Sequence, residues 1–272
     1  MLPKNLKRIG IAALLLVAVL ANGLFLIREN LQKDLSKVEN AYQAGERATT
    51  LSERKKAFNQ ALEGYLQLEV TYHPLYGNGK LYYNLGNTYF QLSEYPLAIL
   101  YYEKALNLLS DPVKAEENLR ISRQKLEIES TPHRVNVFQS LVFFHKWPLP
   151  TRLQGLSLSL ILITGCLSLF IWYPYPGIHS LCGCLATVAL ILLGSALYSR
   201  FFSSVDAIVT HPTFLFREAG AQYAKVREDP LIAGSKVEVL DFSKKGWIKI
   251  ATSQGEVGYT QAIDMQLIEP YR

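Results

Sequence analysis

The sequence has little charge, and the shortage is local. Charged residues make up 19% of the 272 residues, whereas typical soluble domains contain about 25%. Two stretches, Ile9–Ile27 and Leu153–Ser199, contain no Asp, Glu, Lys or Arg at all. Such gaps exclude a simple soluble enzyme and a disordered chain, and they predict a membrane protein with sizeable soluble parts.

Cysteine is also scarce. The chain has three, Cys166, Cys182 and Cys184, and all of them lie in the second uncharged stretch. Because a disulfide framework needs cysteines in exported domains, that class of protein is excluded. The Cys182-Gly183-Cys184 spacing does not fit a zinc knuckle, so we interpret the cysteines as small apolar packing residues in lipid.

Sequence motifs for catalysis are missing as well. The chain has no Gly-rich phosphate loop, no His-Glu-x-x-His helix and no Gly-x-Ser-x-Gly elbow, and its five histidines are scattered. Catalysis needs a converging set of side chains, so we expect no enzyme, no cofactor and no metal. Basic and acidic residues nearly balance over residues 28–152, which argues against nucleic acid as a partner.

Three apolar segments are long enough to cross a bilayer, which takes roughly 20 apolar residues in a helix. They are residues 9–27, which follow the basic residues 1–8, and Leu153–Tyr173 and Ile178–Tyr198, which form a hairpin over residues 153–198. The first segment is either a signal peptide cleaved near Ala21 or an uncleaved anchor. Because its apolar run continues to Ile27, the anchor is slightly favoured.

The charges around these segments favour two conflicting topologies. The basic amino terminus favours the cytoplasmic side, which would place residues 28–152 and 199–272 outside the cytoplasm. Three basic residues flank the hairpin and favour the opposite orientation: Lys146, Arg152 and Arg200. We prefer the first topology because the first helix usually dominates insertion.

Residues 28–130 have a strong helical period and an internal repeat. A 34-residue unit beginning at Gly79 has the tetratricopeptide pattern, with Gly86 and Ala98 where the two helices of a repeat cross closely. The larger residues Tyr82, Leu85 and Tyr102 fill the space around that crossing. A degraded copy lies upstream at Ala61, Tyr65 and Leu68, and residues 113–129 repeat only the first helix. We therefore predict an α-helical tetratricopeptide array with partial repeats as caps.

Two polar residues recur 34 residues apart, since Lys80 and Asn84 reappear as Lys114 and Asn118. In this repeat class those positions of the first helix face a concave groove, and Tyr83 and Asn87 face the same way. Converging ammonium and amide donors suit the terminal carboxylate of a peptide. We predict that these six residues form a peptide-binding groove, with solvated polar side chains on a helix face as the alternative.

An apolar cluster fills residues 131–152, just before the hairpin. Its last residues include His145, Lys146 and Trp147, which suit the headgroup zone of a bilayer. We predict a helix that lies in the interface, and a final capping helix of the array is the alternative.

Residues 199–272 change to short alternating runs, which predict the strands of a small β-barrel. The distinctive part is Gly-Trp-Ile-Lys-Ile at 246–250, followed by Gly-Glu-Val-Gly-Tyr at 255–259. This segment resembles the bacterial SH3-type domain. Trp247 and Tyr259 either pack in its core, which is the more frequent role, or stack on a peptide or glycan at its surface.

The whole order of segments predicts a multidomain membrane protein and resembles the BatE family of the bacterial aerotolerance (Bat) group. The matching residues are Leu-Tyr-Tyr-Asn-Leu-Gly-Asn-Thr-Tyr-Phe at 81–90 and Ala-Ile-Leu-Tyr-Tyr-Glu-Lys-Ala-Leu at 98–106. The resemblance implies an inner-membrane protein with periplasmic domains. It also implies partnership with von Willebrand-type membrane proteins and a MoxR-type ATPase in aerotolerance or envelope stress.

Two functions stay open at the level of sequence. The first is a membrane-anchored scaffold that binds a protein partner in the groove. The second is a peptidoglycan-binding module that uses the SH3-type domain.

Overall fold

The computed structural model describes residues 4–72, 79–109, 111–128, 147, 149–172, 175–201 and 205–268. These residues form seven α-helices and one small antiparallel sheet. The chain divides into two compact units, Met1–Gly77 and Asn78–Arg272.

The first unit is a pair of helices, α1 (Lys4–Arg47) and α2 (Leu51–Tyr72). Phe58 of α2 is fully buried, and its ring lies close to Gly45 of α1, where a Cβ atom would come within 2.9 Å of it. The three residues of the predicted degraded repeat are all buried on α2: Ala61, Tyr65 and Leu68. The predicted first span, Ile9–Ile27, is helical within α1, and its place in a membrane stays a prediction.

The second unit begins with three short helices, α3 (Gly79–Gln91), α4 (Tyr95–Leu106) and α5 (Val113–Lys125). The turn between α3 and α4 lies where the repeat pattern predicts it. Ser93 adopts a positive φ of 67°, and the Glu94 amide donates a hydrogen bond to the Tyr89 carbonyl at 2.9 Å. This turn lets α4 fold back against α3.

The close crossing of α3 and α4 depends on one glycine. A Cβ atom at Gly86 would lie 2.6 Å from the Tyr102 ring, closer than side chains approach. Ala98, Leu85 and Tyr102 are buried around this contact. The predicted small and large positions of the repeat therefore occupy the crossing as expected.

Two long helices follow, α6 (Leu149–Trp172) and α7 (Pro176–Phe201). By length and composition, Thr151–Ser168 and Gly177–Tyr198 could cross a membrane. The helices pack as an antiparallel pair, so that the start of α6 lies beside the end of α7. There Arg152 donates hydrogen bonds to the carbonyl and hydroxyl oxygens of Ser195 at 3.0 and 2.8 Å. The predicted interfacial helix, residues 131–152, lies outside the described residues except for Trp147 and for the first turn of α6.

The carboxyl-terminal part is a five-stranded antiparallel sheet in the order β4-β3-β2-β1-β5. A 3-10 turn, Ala262–Asp264, separates the last two strands. The strands are β1 (Val205–Val209), β2 (Lys236–Asp241), β3 (Trp247–Ala251), β4 (Val257–Gln261) and β5 (Met265–Leu267).

Alternate residues of the strands form the core on one face of this sheet, as the sequence pattern predicts. Every second residue of β2 and β3 is buried, which places Val237, Val239, Ile248 and Ile250 on one face. The long β1–β2 connection returns to the far edge, where Phe216 and Tyr259 exchange backbone hydrogen bonds of 2.8 and 2.7 Å. A small antiparallel β domain is therefore present, and its assignment to the SH3 type stays a prediction.

Candidate protein-binding groove

Helices α3 and α5 carry equivalent residues at the predicted groove positions. Thr88 donates a hydrogen bond to the Asn84 carbonyl at 2.8 Å, and Ser122 does the same to the Asn118 carbonyl at 2.8 Å. Both hydroxyl-bearing residues are fully buried. Asn84 and Asn118 therefore occupy the same position on α3 and on α5, the helix one repeat length later.

Three of the six predicted groove residues are joined by hydrogen bonds. The Asn118 amide nitrogen donates to Asn87 Oδ1 at 2.9 Å and to the Tyr83 hydroxyl at 3.3 Å. The Tyr102 hydroxyl also donates to Asn87 Oδ1, at 2.8 Å. The repeat pattern predicts only a packing role for Tyr102, because the spacing does not show where its hydroxyl points. The network ties α3, α4 and α5 together.

Asn84 differs from Asn87 and Asn118. Its amide nitrogen is buried, and no described residue accepts a hydrogen bond from it. A buried donor without an acceptor costs roughly 1–3 kcal/mol. An acceptor could reach this nitrogen only after a neighbouring side chain moves, because the nitrogen is inaccessible to solvent.

The two predicted lysines lie at the start of their helices. Lys80 is the second residue of α3 and Lys114 the second of α5, and both are exposed. We call the surface formed by these residues the repeat groove: Lys80, Tyr83, Asn84, Asn87, Lys114 and Asn118.

The predicted aromatic pair of the β domain is partly buried. The Trp247 ring meets the Phe216 ring edge-on with centroids 5.6 Å apart, and the Lys249 ammonium lies 5.8 Å from the Tyr259 centroid. Gly258 allows β4 to approach Phe216, because a Cβ atom there would lie 2.6 Å from the Phe216 carbonyl. These contacts favour packing as the main role of Trp247, while both rings keep an accessible part.

A cluster of four charges joins the helical repeat to the sheet. Glu103 of α4 accepts from Arg123 of α5 at 2.6 Å and from Lys236 of β2 at 3.1 Å, and Lys236 also pairs with Asp206 at 3.1 Å. Burial alone would lower the pKa of Lys236, but the two carboxylates outweigh it and raise the pKa above its ordinary value. We call this cluster the repeat–sheet contact. The sequence gives no signal for it, because Glu103 and Lys236 are far apart along the chain.

Apolar residues pack beside these charges, and we include them in the repeat–sheet contact. The backbone of Gly234, in the loop before β2, packs on side chains from α4 and from the end of α5. A Cβ atom at this position would lie within about 3 Å of Leu126, Ile128 and Ile99. The φ of Gly234, 94°, is also one that favours glycine. The sheet and the repeat therefore pack as neighbours within the second unit.

Residues 79–112 match the family model of the tetratricopeptide repeat. The prediction of one such repeat beginning at Gly79 is confirmed. No curated protein matches the chain. Tetratricopeptide repeats typically bind protein partners, so α3 and α4 form a protein–protein interaction module.

Proposed function

We propose that the chain is a membrane-anchored scaffold of the bacterial cell envelope that binds a protein partner in the repeat groove. The observation that carries this proposal is the buried, unpartnered amide of Asn84 beside the bonded Asn87–Asn118 pair. The bonded pair holds the helices in place, and Asn84 has a donor that a ligand acceptor would satisfy once a neighbouring side chain moves. The bonded part of the site is thus preorganised, and binding opens the site at Asn84.

The chemistry of the groove favours a carboxylate on that peptide. Lys80 lies four residues before Asn84 on α3 and is exposed, and α5 contributes the exposed Lys114. Charge-assisted hydrogen bonds from ammonium groups to a carboxylate are roughly twice as strong as neutral ones. We therefore propose that the ligand is a free carboxyl terminus of the partner.

A peptide library with free and amidated carboxyl termini tests the proposal on the full chain in detergent. We expect a set of free-carboxylate peptides to bind, the amidated forms to bind at least tenfold more weakly, and Asn84→Ala to lose the binding. Gln124→Ala removes an exposed amide of α5 outside the groove and serves as the matched control. A peptide affinity that is unchanged by both amidation and Asn84→Ala would contradict the proposal.

The membrane anchoring is part of the same proposal. Helices α6 and α7 have the length and apolar composition for spans, and the repeat–sheet contact joins the domain before them to the domain after them. Both domains then belong on one side, which a hairpin of two spans allows. We propose the periplasmic side of the inner membrane, and a reporter fused after Arg272 that is active only outside the cytoplasm tests it.

The resemblance to the BatE family supports a finer proposal. We propose that the scaffold acts in an aerotolerance or envelope-stress complex, with von Willebrand-type membrane proteins as candidate partners. Loss of the gene should then lower survival under oxygen or envelope stress, and Asn84→Ala should reproduce the loss at normal protein level. Restoration of survival by Asn84→Ala would contradict a role of the groove in that process.

The β domain carries a second candidate function. Its strand order and the Phe216–Tyr259 bridge to the sheet edge support an SH3-type assignment, and Trp247 and Tyr259 offer partly accessible rings for a glycan. Peptidoglycan binding is therefore the alternative, and cosedimentation of the full chain with purified peptidoglycan tests it. In either case we propose a binding protein and not an enzyme.

A further inference from the structure

The end of β2 and the turn between β2 and β3 expose an unusual set of apolar and basic residues. Leu240, near the end of β2, is 48% exposed, and Phe242, in the turn, is 51% exposed; Lys244 and Lys245 follow in the turn and are exposed too. Ile263 is 80% exposed, and it adjoins this turn because the neighbouring Ala262 amide donates to the Gly246 carbonyl at 3.0 Å. We call this surface the basic tip: Leu240, Phe242, Lys244, Lys245 and Ile263.

Hydrogen bonds within the turn hold the basic tip in a fixed shape. The Ser243 amide donates to Asp241 Oδ1 at 2.8 Å, and the Ser243 hydroxyl donates to the other carboxylate oxygen. The Trp247 amide closes the turn on the Lys244 carbonyl at 3.0 Å. These bonds from Ser243 keep the pKa of Asp241 below its ordinary value. The Asp241 carboxylate thus accepts its hydrogen bonds from within the turn, and Lys244 and Lys245 give the surface a positive charge.

The chain holds the basic tip close to the end of α7. Only three residues separate Phe201, the last residue of α7, from Val205, the first of β1. Four extended steps cover about 14 Å. Val205 pairs with Val239 across the ladder, and Phe242 is three residues, or about 10 Å, farther along. The tip therefore lies within about 30 Å of the end of α7, whatever the tilt of the sheet.

The helical repeat covers the other end of β2. Lys236, the first residue of β2, and Gly234 before it make the repeat–sheet contact. The basic tip follows the last residue of the same strand, Asp241. None of the described contacts between the repeat and the sheet involves this tip, so it is open to a further surface.

We propose that the basic tip docks on the surface of the bilayer that α6 and α7 cross. Phe242, Leu240 and Ile263 enter the headgroup zone, and Lys244 and Lys245 bind the phosphates of anionic lipids. The occupant is a lipid surface because exposed apolar and basic side chains lie together at one end of the sheet and the chain confines that end near the membrane. This inference rests on the proposed membrane spans.

A fluorescent depth probe tests the inference in the full chain. The native cysteines are replaced with alanine, and single cysteines at Ser243, Ser253 and Leu190 are labelled with an environment-sensitive dye. Ser253 is exposed in the β3–β4 turn at the opposite end of β3, which makes it the matched control for Ser243. Leu190 is 68% exposed on α7 and reports whether that helix is in lipid.

The protein is placed in vesicles of phosphatidylcholine alone or with 30% phosphatidylglycerol, each containing headgroup-quencher lipids. We expect at least twofold stronger quenching at Ser243 than at Ser253 in anionic vesicles. The difference should disappear in phosphatidylcholine alone and in the double variant Lys244→Glu, Lys245→Glu. Circular dichroism of that variant should remain unchanged, because both lysines are exposed.

The probe at Leu190 separates the two proposals. If Leu190 is in lipid while Ser243 behaves like Ser253 in every vesicle, docking of the tip is wrong and the spans stand. If the dye at Ser243 reports an apolar environment in both kinds of vesicle but is not quenched by the lipids, a protein surface covers the tip and the lipid proposal is overturned. If Leu190 itself is not in lipid, the membrane spans fail, and the docking proposal fails with them.

Discussion

Replacing Lys236 with methionine removes the cation that joins the sheet to the helical repeat. Methionine keeps most of the apolar stem of lysine, so the change isolates the charge. After the substitution, Glu103 still accepts a hydrogen bond from Arg123 at 2.6 Å, and Asp206 loses its partner at 3.1 Å. The perturbation therefore weakens the repeat–sheet contact without leaving the most buried carboxylate alone.

The burial of the partners sets the expected magnitude. The Glu103 side chain is 11% exposed and that of Lys236 is 34% exposed. Exposed ion pairs contribute about 0–1 kcal/mol, whereas loss of one partner from a fully buried pair costs about 3–5 kcal/mol. Because Lys236 is intermediate and Glu103 keeps Arg123, we expect Lys236→Met to cost about 1–2 kcal/mol in the free energy of unfolding. Glu103→Gln should cost more, about 2–3 kcal/mol, because it removes the partner of both cations.

Hydrogen exchange of the full chain in detergent micelles measures this effect locally. We expect faster exchange near Glu103 in α4 and at the start of β2, the two elements that the Glu103–Lys236 pair joins. Arg120→Met is the matched control, because it breaks the exposed Glu117–Arg120 pair on α5 and should cause no measurable change. If Lys236→Met accelerates exchange in α4 no more than Arg120→Met does, the repeat and sheet are not held together by this cluster.

Three further predictions concern packing, hydrogen bonding and pH. Gly86→Ala should cost about 1–3 kcal/mol by crowding Tyr102, whereas Gly183→Ala, with nothing within 4 Å, should leave the melting temperature unchanged. Asn118→Ala should cost about 1–2 kcal/mol, because Tyr83 loses a donor and Asn87 keeps only Tyr102; chemical denaturation measures it. Since the pKa of Lys236 is raised, its stabilisation should be complete at neutral pH and be lost only as pH rises above 10.5 through the higher folded pKa; wild type and Lys236→Met should converge there.

Local pattern was sufficient to predict the repeat. Gly86, Ala98 and Tyr102 meet within one helix pair, so their spacing along the chain determines their contact in space. The strands around Lys236–Leu240 and Trp247–Ile250 were likewise predictable, because burial on one face of a sheet requires alternation. The membership of the chain in the BatE family and the SH3 type of the sheet stay predictions.

Contacts between distant segments were not predictable from the sequence. Glu103 and Lys236 are each ordinary surface-type residues by composition, and only the fold brings them within 3.1 Å. The hydrogen bonds of the repeat groove were not predictable either. Repeat spacing identifies Asn84, Asn87 and Asn118 as neighbours. It does not show that Asn118 bonds Asn87 while Asn84 is left without an acceptor among the described residues. That distinction depends on side-chain rotamers, which spacing does not encode.

In the proposed function, the Asn84 amide holds the carboxyl terminus of a protein partner. The most direct measurement is the side-chain amide resonance of Asn84, followed in full chain labelled with 15N-asparagine during titration with a free-carboxylate peptide that binds. We predict that this resonance shifts and saturates with the bound fraction, whereas that of the exposed Asn59 on α2 stays in place. Saturable peptide binding that leaves the Asn84 resonance unmoved, or the absence of any peptide that binds, would contradict the account.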